Sequence, residues 1–110
     1  MLEPIWVFTR GDLPIVSLRD LEGKRILTGT ALSGARRVAL QLLQANGVHR
    51  DNAVLIDKEL TGDAQALHKG EADAAILILP PEADRIQKLI KRLSLKPQTL
   101  ATLQMSYYIR

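Results

Sequence analysis

The sequence predicts a three-layer α/β sandwich, a mostly parallel five-stranded sheet with helices on both faces. Short apolar runs alternate along the chain with amphipathic helical patterns, the signature of this class. The run ADAAILIL at 72–79 is apolar almost throughout, as is a central strand covered on both sides. Glycines and prolines punctuate the boundaries between runs. With 110 residues, 46% hydrophobic and 25% charged, the chain suffices for one core and is too small for two. Residues 1–110 therefore read as a single domain. Aromatics make up only 4%, so the core rests on Leu, Ile, Val and Ala.

The first strand is EPIWVFTR at 3–10, where Ile5 and Val7 alternate with Trp6 and Phe8 and both faces read as covered. Ser17 opens a short helical turn that Gly23 stops. KRILTG at 24–29 is the second strand. A helix follows with Ser33 as N-cap, a buried stripe of Ala35, Val38, Ala39, Leu42 and Leu43, and Gly47 as its left-handed terminator. In that pattern Arg36, Arg37, Gln41 and Gln44 point away from the core. AVLID at 53–57 is a third strand, and Thr61 caps a second helix through Lys69, stapled by Leu60 and Ala64 and stopped by Gly70. The apolar strand 72–79 ends at Pro80 and Pro81. A third helix carries the stripe Ala83, Ile86, Leu89, Ile90 and Leu93, and a last strand runs over about 99–104.

The functional classes narrow by exclusion. No cysteine is present, which removes disulfides, thiol redox chemistry and metal-thiolate centres. No apolar stretch reaches the length of a membrane span, and no signal peptide opens the chain. The net charge of +3 comes from 15 basic and 12 acidic residues spread along the whole length. Arg85, Lys88, Arg92 and Lys96 form a stripe on the third helix, but without interleaved aromatics it reads as a solvated face and no nucleic-acid partner follows. The glycines match neither the dinucleotide nor the phosphate-loop pattern. His49 and His68 have no second ligand at metal spacing, so no metal or cofactor is called for. Asp57, Lys58, Glu59, Asp73 and Asp84 read as solvated loop residues rather than a catalytic pair.

The informative segment is TGTALSGARR at 28–37, where a strand gives way to a helix through small and hydroxyl residues. In such sheets ligands sit beyond the carboxyl ends of the strands, which here means the loops at 30–33, 57–61 and 79–82. Thr30, Ser33, the backbone N–H groups of Gly34 and Ala35, and Arg36 together suit a carboxylate or phosphate. The other reading of the same residues is an ordinary capped helix with solvated arginines. Ser33 lacks a nucleophile elbow and a nearby base, so no catalytic residue is assigned.

Several segments in order carry a family pattern: EPIWVFTR at 3–10, LRDLEGKRI at 18–26, Ser33-Gly34 opening an arginine-containing helix, GEADAA at 70–75, and Tyr108-Ile-Arg110 at the end. The set resembles the TAXI family of TRAP-transporter solute receptors. That resemblance implies one lobe of a two-lobed, type 2 periplasmic-binding fold, with hinge strands at about 4–10 and 104–110 and the first lobe of the same parent chain as its partner. It also implies a small organic anion, such as an amino acid or dicarboxylate, held between the lobes and passed to membrane permease subunits. The location implied is periplasmic or otherwise extracytoplasmic, with any membrane anchor in parts of the parent outside this chain. The family's ligand loop reads Gly-Ser-Gly-Thr-Arg. Here Leu32-Ser33-Gly34-Ala35-Arg36 keeps the serine, second glycine and arginine and replaces the threonine by Ala35, which removes one hydroxyl. An effector-sensing lobe of a transcriptional regulator, which uses the same fold, is the alternative, and a small anion-dependent enzyme using Ser33 is a third.

Overall fold

The computed structural model describes residues 2–10, 15, 17–30, 33–57, 66–67, 69–79, 82–95 and 100–108. The elements are strand β1 (Leu2–Arg10), a 3-10 turn (Leu18–Leu21), β2 (Arg25–Leu27), α1 (Gly34–Ala45), β3 (Val54–Ile56), β4 (Ala74–Ile78), α2 (Asp84–Leu95) and β5 (Leu100–Tyr108). Of the helix expected from Thr61 to Lys69, most residues lie outside those described; Ala66 and Leu67 are helical and buried. Pro80, Pro81 and His68 also lie outside.

The sheet order is β3-β2-β4-β1-β5. β2 runs parallel to both β3 and β4, whereas β1 runs antiparallel to β4 and to β5. The sheet is therefore mixed but mostly parallel, as expected, with β2, β3, β4 and β5 running one way and β1, among the described strands, running against them. Alternation in β1 reports which side chains share a face but is blind to strand direction, because the period of two is the same either way.

That alternation does place the core. Ile5 and Val7 pack with Ile26, Ala39, Leu42, Leu43, Ala74 and Ile76 on one face. Trp6 and Phe8 pack with Leu27, Ala66, Leu67, Ala75, Leu77, Ile86 and Leu89 on the other. α1 and the 3-10 turn cover the first face, and α2 with residues 66–67 covers the second. β1 and β4 are thus buried on both sides, as their unbroken apolar character demands.

Local signals behave as their chemistry dictates. Ser33 caps α1, its hydroxyl accepting from the Arg36 N–H at 3.0 Å. The Asp20 carboxylate accepts from the Ser17 N–H at 3.0 Å and secures the start of the 3-10 turn. Gly47 takes φ +80° after α1, the left-handed conformation that glycine adopts without a steric penalty. One element differs from expectation inside α1. Ala35 is exposed and Arg36 is buried, so the inward stripe is Arg36, Ala39, Leu42 and Leu43. A helix places position 36 directly below 39 and 43, and the hydrophobic pattern skipped it because arginine does not register as an inward residue.

Candidate functional site at the strand ends

Because β2, β3 and β4 are parallel, their carboxyl ends open on one edge of the sheet, and α1 begins there. The corner is built from the residues that follow β2. Thr28 is almost wholly buried, and both its N–H (3.1 Å) and its hydroxyl (3.3 Å) reach the Ile56 carbonyl at the end of β3. Gly29 then turns the chain at φ +102°, and a Cβ there would stand 3.2 Å from Ser33 Oγ and 3.5 Å from the Arg36 nitrogen. Only glycine meets both the backbone angle and the close approach of the cap.

Thr30 is exposed and its carbonyl accepts from the Ser33 N–H at 3.2 Å. Gly34 and Ala35 are exposed in the first turn of α1, where backbone N–H groups have no intrahelical acceptor. Ser33 Oγ and the Ser33 carbonyl take the next two amides, of Arg36 and Arg37. Among the described residues the Gly34 and Ala35 amides are left without an acceptor.

Arg36 decides the electrostatics. Its residue is 9% exposed, and among the described residues its side chain has one partner, the Thr28 hydroxyl, which accepts from Nη1. The first turn of α1 contains no acidic residue. A cation there sits at the positive end of the helix dipole, an arrangement unfavourable by roughly 0.3–1 kcal/mol. Its desolvation without a counter-charge adds on the order of a few kcal/mol. The corner thus gathers a buried guanidinium, the first amides of α1 and the positive end of the helix dipole, all of one sign.

The structure brings Thr30, Ser33, Gly34, Ala35 and Arg36 together at this edge. It also adds Thr28 and Gly29, which sequence reasoning left in the strand. Their signal was the hydroxyl-glycine pair between an apolar strand and an N-cap, legible only once the strand end and the helix start were known to touch.

Other candidates fall elsewhere. Asp73 is not a solvated loop residue but 8% exposed. It sits at the opposite edge, where Oδ1 accepts from Arg25 Nη2 (3.0 Å) and Arg10 Nη1 (3.3 Å), and Oδ2 from the Arg25 N–H (2.9 Å) and Nε (3.2 Å). Burial raises its carboxyl pKa, but the Arg25 hydrogen bonds and the Arg25 and Arg10 charges outweigh that and hold it below the usual range. The same hydrogen bond raises Arg25 further. Asp57 and Asp84 are exposed. His49 is exposed near the far end of α1, in a shallow groove with Leu40, Gln44, Val48 and Leu55. Among the described residues no group of three His, Asp or Glu side chains is placed to hold a metal ion, and no helix is long and apolar enough to cross a membrane.

The helix-flanked sheet, with its parallel strands ending beside the start of α1, is an α/β domain of the periplasmic-binding-protein-like fold. The chain belongs to the NMT1/THI5-like family, whose match spans residues 3–105. Among solved structures it is similar to the alkanesulfonate-binding protein SsuA of Xanthomonas axonopodis pv. citri bound to MOPS, with 18% identity over 90% of this chain and 31% of that one and a TM-score of 0.63. A periplasmic sulfonate-binding protein SsuA of a putative sulfonate ABC transporter in Methylobacillus flagellatus KT gives 15% identity over 94% of this chain and 28% of that one, with a TM-score of 0.65. An ancestral arginine-binding protein bound to arginine gives 18% identity, 94% and 42% coverage, and a TM-score of 0.55. At these identities the likeness shows the fold. Among curated proteins none matches the chain. The chain spans less than half the length of each of these three structures. The comparisons carry the wider class, a periplasmic-binding-protein domain, and do not single out the TAXI branch.

Proposed function

We propose that this chain is the ligand-binding lobe of a two-lobed solute receptor, holding a small organic anion between itself and a second lobe of the full-length protein. One observation carries the proposal: Arg36 is buried at the start of α1 with a single hydroxyl partner and no counter-charge among the described residues. The ligand's carboxylate or sulfonate supplies that charge, held by Arg36, the Gly34 and Ala35 amides, and the Ser33 and Thr30 hydroxyls. Of the hinge strands, the 4–10 and 104–108 portions are β1 and the end of β5, whose register pairs Leu2 with Tyr108 at the same edge. A connection to a second lobe would leave there beside the site.

The role is binding rather than catalysis. The Ser33 hydroxyl caps α1 instead of meeting a base, and the one described histidine, His49, lies beyond the helix's other end. The receptor works outside the cytoplasm and delivers its ligand to a membrane permease. An ABC-type permease is favoured by the family and by the sulfonate-binding neighbours. A TRAP permease is favoured by the ordered TAXI-like segments, with Ala35 as the departure from that pattern.

Calorimetry on the full-length protein with ethanesulfonate, MOPS, succinate, L-glutamate and L-arginine tests the reading. At least one of these carboxylates and sulfonates binds, and Arg36→Ala weakens it by roughly 10- to 100-fold, the worth of a hydrogen bond to a charged group. Unchanged affinity in Arg36→Ala removes the residue from the site, and no binding by any of the five removes the function. Co-purification of permease subunits with the receptor separates the two importer classes.

A further inference from the structure

The Thr28 hydroxyl lies between Arg36 and the Ile56 carbonyl, 1% exposed, and each of its neighbours constrains it. A threonine hydroxyl has one proton and two lone pairs. The Ile56 carbonyl can only accept and the guanidinium can only donate, so the proton points at Ile56 and the lone pairs at Arg36. The carbonyl is itself fixed, because Leu27 and Ile56 are the last register pair of β2 and β3 and the Thr28 N–H also reaches it at 3.1 Å. A chain of hydrogen bonds thus runs from the end of β3 through the end of β2 to the first turn of α1.

We propose that Thr28 is the positioning residue of this site: by pinning Nη1 it leaves the Nε and Nη2 donors of Arg36 for one anion that presents two oxygens. The proposal rests on the binding reading above. A guanidinium is planar and its donors form a rigid fork, so fixing one N–H fixes the plane of the rest. Among the described residues neither Nε nor Nη2 has an acceptor. Carboxylates and sulfonates match that fork in a bidentate way, and a neutral hydroxyl or amide does not. Without the hydroxyl, Arg36 keeps its charge and its place on α1 but not its angle.

Two measurements on the full-length protein test it. The first is ligand-free: melting temperatures of Thr28→Val, Arg36→Met and the double variant. Coupled residues give a double-variant shift that differs from the sum of the single shifts; additive shifts overturn the positioning role whatever the ligand proves to be. The second is calorimetry of Thr28→Val and Thr28→Ser with whichever of ethanesulfonate, MOPS, succinate, L-glutamate and L-arginine binds the wild type. Thr28→Val loses about tenfold in affinity and Thr28→Ser, which keeps the hydroxyl, stays within about twofold. Wild-type affinity in Thr28→Val, or a serine variant as weak as the valine one, overturns the proposal. If no anion binds, the solute-receptor reading fails while the melting cycle still decides whether Thr28 holds Arg36.

Discussion

At each end of the sheet an arginine is hydrogen-bonded into the fold, and the two ends treat its charge in opposite ways. At the end where β2 and β4 begin, Asp73 gathers Arg25 and Arg10 and the Arg25 N–H onto its two oxygens. At the end where β2 and β3 finish, Arg36 is more deeply buried than either of those arginines and, among the described residues, has only the Thr28 hydroxyl. A buried charge that is matched serves the fold, whereas one left unmatched is costly. On the binding proposal, the first end is a clamp and the second a site.

The largest effect expected from this contrast is at the clamp. Asp73→Ala strips four donors of their acceptor, and in chemical denaturation it costs about 3 kcal/mol or somewhat less, since Arg25 is 41% exposed and water recovers part of the loss. A cost within experimental error would show that the clamp is ornamental. Next comes Gly29→Ala, which forces a Cβ into a left-handed position 3.2 Å from the cap oxygen. It lowers stability by about 1–2 kcal/mol and weakens anion binding in the same protein, both read from melting and calorimetry.

Arg36→Met then breaks the comparison most sharply, because its sign is reversed. Removing an unmatched buried cation from the positive end of a helix leaves the ligand-free protein unchanged or stabilises it by up to about 1 kcal/mol, while anion binding weakens by roughly 10- to 100-fold. A destabilisation as large as that of Asp73→Ala would mean that Arg36 is structural after all.

The smallest effect is that of pH. The folded-state pKa of Asp73 lies below its ordinary value of 3.8. Its contribution is therefore fully present above the unfolded pKa and is lost as pH falls through the folded one. The stability gap between wild type and Asp73→Asn is constant from pH 7 to about 5 and narrows below about pH 4. A gap that narrows near neutrality would point to another group.

Much of the architecture was legible because it is local. Ser33 and Gly47 mark the ends of α1 through hydrogen bonds and backbone angles made within a few residues. The alternation of Ile5 and Val7 with Trp6 and Phe8 correctly gave a strand with two buried faces. The segment of the proposed site was found for the same reason, since a hydroxyl N-cap and an arginine in the first turn are neighbours in the chain. The misread positions were long-range. Asp73 is 48 and 63 residues from the arginines it binds, and nothing near it in sequence announces either one. Arg36 belonged to the outward set by polarity, and only the approach of β2 beneath α1 turned it inward.

What the sequence determined by itself is the ends of α1, the alternate faces of β1 and the apolar strand β4, because periodicity, capping and glycine geometry act over a few residues. The tertiary structure alone decided the direction of β1, the pairing of Asp73 and the isolation of Arg36. Strand direction and charge neutralisation depend on which distant segments meet, and a side chain's charge acquires its meaning only from what the fold places, or declines to place, beside it.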